Sequence, residues 1–331
     1  MMKKLVAGLT AVALIFGGAA FLPAYGGAFG RVITASAAEN ADFTDGAFGC
    51  VNTDEGVEIV SYSGNDTELA IPSVLGGKIV TSIGSYCFEF NRTLQSVTVP
   101  EGVTKIDDHA FFGCRQLVSV ELPSTLDTIG NSCFWGCPKL QSVHIPDSVT
   151  SFDTLVFSGC TSLCDVTLPS GLDILPDFTF YNCSSLNKLT LPSDLTEIRQ
   201  MSLLGCTSLK SLSIPQNCVI QDHAVGFFYE KDSFKHIEGF TMYVYPDSPA
   251  ESYAKTFEVP YKYVGEERTT GDVNYDGEIN ITDITLIAAH IKGKRILSDD
   301  ARKRADVNGD GCINVTDIIK IAAHIKGKRL L

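Results

Sequence analysis

Positive charge is scarce over most of this chain: residues 38–264 carry 12 Lys and Arg against 28 Asp and Glu, a net charge of −16. A surface of that sign repels nucleic-acid phosphates and anionic lipid headgroups, so neither is an expected partner. Long apolar runs are scarce too. The single one spans Leu5 to Leu22, and no later segment is apolar enough to cross a bilayer. Missing as well is any independent stretch that could hold a catalytic domain, and the carboxylates are scattered with no pair singled out. These absences point away from a nucleic-acid binder, a membrane-embedded protein and an enzyme.

The apolar run follows Lys3-Lys4 and precedes Ala35-Ser36-Ala37, the order of a secretory signal peptide over residues 1–37 with cleavage near Ala37 or Ala38. The alternative is an uncleaved anchor, for which the run is about long enough. With the signal removed, the protein is expected outside the membrane, secreted or held at a cell surface. Residues 265–331 carry 11 basic and 11 acidic residues, so the acidic body gives way to a neutral tail and two domains are expected.

What the chain has in abundance is repetition. Pro100, Pro123, Pro146, Pro169, Pro192 and Pro215 are each 23 residues apart, and Cys114, Cys137, Cys160, Cys183 and Cys206 run in the same register. So do Leu117, Leu140, Leu163, Leu186 and Leu209, and after them Val120, Val143, Val166, Leu189 and Leu212. A fixed period of this size means stacked repeats, because one unit has an apolar stripe (Ile129, Phe134, Leu140, Val143, Ile145) and only its neighbours can cover it. Gln141-Ser142-Val143-His144-Ile145 alternates polar and apolar residues as a strand does, and the Pro that follows ends it. The strands are expected to stack into one parallel sheet, with the rest of each unit as an irregular or short helical return.

The run I-x-x-x-[AC]-F-x-G-C-x-x-L-x-x-[VL]-x-[LIV]-P, matched by five consecutive units over residues 100–214, resembles the BspA-like leucine-rich repeats of bacterial surface and secreted proteins. The resemblance implies an α/β solenoid with parallel strands. Leu203 departs from the pattern at a Phe position and Asn182 at a Gly position, while the first unit, residues 72–99, is five residues longer and has Asn91 in place of Cys. Residues 38–71, with the alternating run Val57–Tyr62, are expected to cap the first edge, and residues 72–235 to form the repeats. Residues 236–264 read as a closing cap: a strand at Thr241–Tyr245, a helix from Ser248-Pro249 with Ser as N-cap and Pro at N1, and a strand at Val259–Val264.

Eleven cysteines in a secreted chain ordinarily suggest disulfides. Five of these share one repeat column, which points their side chains in parallel and makes poor disulfide geometry, so a ladder of buried thiols is expected. Cys133/Cys137 and Cys160/Cys164 are isolated pairs with no His cluster beside them, a weak zinc signal. The solvent face of the strands carries Ser96, Ser119, Ser142, Asp165, Lys188 and Ser211 in one column and Thr98, Glu121, His144, Thr167, Thr190 and Ser213 in the next. That flat polar face suits an unspecified protein or glycan ligand. Phe112, Trp135 and Tyr181 recur on the return segments, either as a binding platform or simply packed on one another.

Beyond a short linker, residues 265–271, comes definite chemistry in residues 272–331. Residues 272–297 reappear at 306–331 with 20 of 26 positions identical, and each copy begins D-x-N-x-D-G-x-I-N-x-x-D. That spacing sets oxygen ligands as an EF-hand-type calcium loop does, with Gly at position 6. Asp272, Asn274, Asp276 and Asp283 would bind one Ca2+ by side chain, with the Glu278 carbonyl and Asn280; Asp306, Asn308, Asp310 and Asp317, the Cys312 carbonyl and Asn314 would bind a second. Each loop leads into a helix, Ile281–Ile291 and Val315–Ile325, and neither is preceded by one.

Half an EF-hand twice over resembles the type I dockerin, a small all-α module of two F-hand motifs that docks onto cohesin modules of scaffoldins in cellulosome-like assemblies. The resemblance implies cohesin contacts at Ile281, Thr282, Ala288, Ala289 and Lys292 and at Val315, Thr316, Ala322, Ala323 and Lys326. The expected protein is therefore a secreted, noncatalytic recognition rod plugged into an extracellular scaffold. A dockerin-bearing polysaccharide-degrading enzyme, or an accessory carbohydrate-binding protein, is the alternative.

Overall fold

A computed structural model describes residues 41–264, 270–274 and 278–327. The expected signal segment, most of the linker, and Asp276 with its Gly277 lie outside the described residues. The chain divides into two compact units, one made of residues up to Leu140 with Ser151–Phe157, the other of Gln141–Thr150 with the residues from Ser158 on.

Both units are built of parallel-strand solenoid turns. In the first, Ser96–Thr98 pairs in parallel with Ser119–Glu121, residue for residue at a separation of 23, as Val97 opposite Val120. One correction concerns the return side. Instead of one sheet there are two ladders per turn, because two-residue strands such as Lys105–Ile106, Thr128–Ile129 and Ser151–Phe152 also pair in parallel. Such strands are too short to show an alternating pattern, although Ile106 and Ile129 are fully buried.

Before the first turn, Phe43–Asp45, Phe48–Asn52 and Val57–Tyr62 form an antiparallel meander, and Val57–Tyr62 then pairs in parallel with Lys78–Ile83. That meander covers the edge the first turn would otherwise leave open. The extra residues of the first repeat form a small hairpin, Val74–Leu75 against Lys78–Ile83, turning at Gly76 and Gly77 with φ of 58° and 77°. Asn91 replaces the ladder Cys by a different means: its Oδ1 accepts the Thr93 and Leu94 N–H groups, each at 2.9 Å.

Phe88, Phe111, Phe134 and Phe157 stack almost in parallel through the core of the first unit, with ring centroids 4.8, 5.3 and 5.6 Å apart. Removing a ring from the middle of such a stack leaves a cavity that its neighbours cannot collapse into. Phe134→Ala is expected to cost about 3–5 kcal/mol of unfolding free energy, read as a fall in the denaturant midpoint. A loss below about 1 kcal/mol would mean that the stack is not a supporting element.

The turns also share backbone geometry. Tyr86, His109, Ser132, Leu155, Phe178, Met201 and His223 all have left-handed φ between 53° and 63°. A second left-handed column is occupied by Gly113, Gly136, Gly159 and Gly205, and Asn182 fits it at φ 58° because Asn tolerates this region better than other side chains. At Gly113 a Cβ would come within 2.5 Å of the Phe90 ring, so the glycine is needed for space as well as for conformation.

The five ladder cysteines are buried thiols. Cys114 Sγ donates to Phe88 O at 3.1 Å, Cys137 to Phe111 O at 3.2 Å and Cys206 to Phe180 O at 3.3 Å, each reaching the preceding turn. Burial, before any neighbour, pushes the Cys206 thiol up to about 12 and Cys183 well above its ordinary range. With little thiolate present, disulfide exchange is slow. Thiol titration of the denatured, unreduced protein is expected to find most of these five free; four or more locked in disulfides would refute the ladder.

In the second unit Ser211–Ser213, Thr241–Val244 and Tyr261–Tyr263 pair in parallel, with helix α1 (Pro249–Thr256) between the last two. Ser248 caps α1, accepting the Glu251 N–H at 3.1 Å with Pro249 at the first position, as the sequence predicts. Tyr253 fixes the helix to the solenoid by donating its hydroxyl to Val225 O at 2.9 Å.

Candidate functional site

The C-terminal module has three described helices: α2 (Ile281–Ile291), α3 (Asp299–Ala305) and α4 (Val315–Ile325). The first and last match the expected bounds. Helix α3, capped by Ser298, corrects the expectation that no helix precedes either loop, since it leads directly into the second one. Its local signal was the Ser N-cap and the apolar pair Ala301 and Ala305, both buried four residues apart on one face. The core holds Val273, Ile287, Leu297, Ala301, Ala305 and Ile321, and Tyr245 and Tyr263 of the closing cap pack against it.

The two loops are built alike. The Asp283 carboxylate is fully buried at the third position of α2, where Oδ1 accepts the Val273 and Asn274 N–H groups at 2.7 and 3.1 Å and Oδ2 accepts Asn280 N–H at 2.9 Å. Asp317 repeats this at the start of α4, accepting from Val307, Asn308 and Asn314 at 2.9, 3.2 and 2.9 Å. Asn280 and Asn314 are the N-caps, accepting the Thr282 and Thr316 N–H groups, each at 2.8 Å. Thus the twelfth-position Asp and the ninth-position Asn of each loop also cap the following helix.

Asp306 sits at the centre of the second loop, its two oxygens accepting the Asp310 and Gly311 N–H groups at 3.1 and 2.8 Å. Asn308 donates through Nδ2 to Asp310 Oδ2 at 2.7 Å, and Asp310 Oδ1 accepts Cys312 N–H at 2.8 Å. Gly311, the sixth position, has φ 82°, which lets the loop double back. In the first loop Asp272 is almost fully buried and Glu278 is exposed. Among the described residues no three or more His, Cys, Asp or Glu side chains are gathered closely enough to hold a metal ion. The donor set nevertheless fits calcium, since Asp306, Asn308, Asp310 and the Cys312 carbonyl offer only hard oxygen atoms within one turn.

The expected contact residues lie on accessible helix faces. Ile281 is 68% and Val315 59% exposed; Thr282, Lys292, Thr316 and Lys326 are exposed, and Ala288, Ala289, Ala322 and Ala323 are half-buried. The sequence reading passed over Ile319, which is 60% exposed one turn beyond Val315. Its equivalent in α2 is Thr285, whose hydroxyl bonds back to Ile281 O at 2.9 Å.

On the repeats, most of the two polar columns are exposed, and Ser96 and Ser119 are half-buried. The return-segment aromatics are packed on one another: Phe112 stacks on Trp135 at 4.4 Å, His109 lies 5.3 Å from Phe112, and Tyr86 stacks on His109 at 4.8 Å. Tyr181 packs edge-on against Phe178.

Comparison with known proteins agrees with this geometry. The model of the BspA type leucine rich repeat region matches residues 81–210 and 127–242, and that of the dockerin type I domain matches residues 270–326. No curated protein matches the chain. Among solved structures, a leucine rich cell surface protein from Faecalibacterium prausnitzii A2-165 is 31% identical with a TM-score of 0.55 over 62% of this chain. The chain spans 55% of that protein's length. A leucine rich repeat protein from T. pallidum is 27% identical over 50% of this chain and 90% of its own, with a TM-score of 0.41. The chain is a BspA-type leucine-rich-repeat protein with a C-terminal type I dockerin.

Proposed function

We propose that the protein is secreted and noncatalytic, that its repeats recognise a protein or glycan outside the cell, and that its dockerin attaches it to the cohesin module of a scaffoldin. Type I dockerins bind calcium and imply a cohesin partner. The observation that carries the reading is the duplication in space: Asp283 and Asp317 hold equivalent sets of backbone N–H groups, and each lies in the first turn of a helix whose exposed start, Ile281-Thr282 or Val315-Thr316, is closely matched.

In this reading one calcium ion is held by Asp272, Asn274, Asp276, the Glu278 carbonyl, Asn280 and Asp283. The other is held by Asp306, Asn308, Asp310, the Cys312 carbonyl, Asn314 and Asp317. Calcium supplies the positive charge that lets three ligand carboxylates converge in each loop. The protein's own part is to fix the carboxylates and orient both helices outward, so that Ile281, Thr282, Ala288, Ala289 and Lys292, or their counterparts in α4, meet the cohesin. The deciding experiment is a pull-down from the producing organism's secretome, with calcium and with EDTA. Calcium-dependent capture of a cohesin-bearing protein supports the reading; capture that EDTA leaves unchanged counts against it.

A further inference from the structure

The ladder on the exposed strand face of the second unit has a gap. In closed rungs two kinds of bond join neighbours: Cys164 and Asp165 N–H donate to Gln141 O at 3.0 and 3.3 Å, and Ile145 N–H donates to Thr167 O at 3.0 Å. The same pair recurs further on, where Thr241 N–H donates to Lys210 O at 3.0 Å and Ile214 N–H to Tyr243 O at 2.9 Å. By repeat position, residues 187–191 are the intervening rung. They pair with neither neighbour, and among the described residues no backbone hydrogen bond reaches Lys188, Leu189, Thr190 or Leu191.

The return side of this same turn is closed. Phe178, Phe180 and Asn182 donate to Gln200, Ser202 and Leu204 at 3.0, 2.8 and 2.8 Å, and Ile174–Leu175 pairs with Glu197–Ile198. The turn is therefore splayed on its strand side alone. A groove of about 350 Å³ opens there between Asp165, Thr167 and Leu168 on one lip and Lys188, Thr190 and Leu191 on the other. The sequence supplies a reason: this rung faces inward with Leu189 and Leu191, where each closed rung has at least one β-branched residue, as in Val97/Val99, Val143/Ile145 and Leu212/Ile214.

Carried across the gap, the register of the closed rungs turns the Val166 and Leu168 N–H groups toward the groove from one lip and the Lys188 and Thr190 N–H and C=O groups from the other. Two parallel edges with unused donors and acceptors are completed by another strand. The flanking side chains narrow its chemistry. An inserted residue pointing inward meets Val166 and Leu189, which favours a β-branched apolar side chain. One pointing outward lies between the Asp165 carboxylate and the Lys188 ammonium, which favours a neutral hydroxyl able to accept from one and donate to the other. A second copy is a poor donor, because its strands of this composition are already tied into turns.

We propose that this gap is a strand-addition site, taking an extended segment of a partner polypeptide of about three residues with alternating Ser or Thr and Val or Ile. The inference rests on the reading of the repeats as a recognition surface, and it stands or falls separately from cohesin capture, which uses only the dockerin.

The test uses the full chain and a fluorescent peptide, Gln-Ser-Val-Thr-Val-Pro, which copies residues 95–100. Saturable polarisation is expected, with slowed hydrogen exchange at Val166, Leu168, Lys188 and Thr190. Methylating the Val and Thr nitrogens of the peptide should weaken binding about tenfold or more. Thr190→Pro, which removes a donor from one lip, should weaken the unmethylated peptide. The proposal is overturned if those amides are already protected in the free protein, if the methylated peptide binds equally well, or if the peptide fails to bind. Protection of the same amides by cellohexaose and not by the peptide would assign the groove to a glycan, and dimerisation without peptide would assign it to a second copy; either result overturns it.

Discussion

Adding EDTA is expected to melt α2 and α4 while the repeat turns stay folded. Among the described residues the module's buried core holds six, and two of its helices have 11 residues each, too short to persist without packing. Six ligand carboxylates, three for each ion, repel one another without a cation. A ligand that binds only the folded form, present at a thousand times its dissociation constant, contributes about 4 kcal/mol. That is comparable to all the stability a module of this size draws from its core. Far-UV circular dichroism should lose helix on chelation and regain it with calcium, and hydrogen exchange should place the loss in residues 281–327. A spectrum unchanged by EDTA would show that the capping carboxylates of Asp283 and Asp317 hold the module without metal.

The second large effect concerns docking, where the two copies should substitute for each other. They differ at 6 of 26 positions, and among the ten contact residues the only difference is Ile281 against Val315. The module then presents nearly the same surface in two orientations related by about 180°. Replacing Thr282, Ala289 and Lys292 with bulky or acidic residues removes one orientation of two, which is expected to weaken cohesin binding only about twofold. The set Thr316, Ala323 and Lys326 should behave alike, with a somewhat larger loss because exposed Ile319 adds apolar area to α4 where α2 has Thr285. Only the combined variant should lose binding, by about a hundredfold or more, a strongly non-additive result. Abolition of binding by one single-copy set, with no effect of the other, would refute the two-orientation reading.

The repeats were legible because their spacing is rigid: one column each of Pro, Cys, Leu and Val marks where each strand ends and which side chains go inward. The closing helix was legible from Ser248-Pro249, and α2 and α4 from the duplicated loops. Less could be read where the signal was short or depended on neighbours. The return strands bury at most one residue each, so Ile106 and Ile129 looked like part of an irregular return. Helix α3 has seven residues and no sustained period. The open rung at residues 187–191 fits the repeat motif, and only the lack of a β-branched residue at Leu189 and Leu191 sets it apart from neighbouring turns. In the loops, ligand spacing was evident, but the capping role of Asp283 and Asp317 depends on amides brought in from across the loop.

The left-handed column also bears on how the chain comes off the ribosome. A non-glycine residue in that conformation costs on the order of 1–3 kcal/mol, and it persists only when surrounding structure holds it. Here the support comes from the turn not yet made: Tyr86 N–H donates to Asp108 O at 3.1 Å, His109 to Asn131 O at 2.9 Å, Ser132 to Thr154 O at 3.0 Å and Phe178 to Gln200 O at 3.0 Å. Each acceptor lies 22 residues downstream, so a newly emerged turn stays under strain until the next has been synthesised. Folding during translation should therefore trail the exit tunnel by one full repeat, and nascent chains stalled at successive repeats should become protease-resistant one turn late.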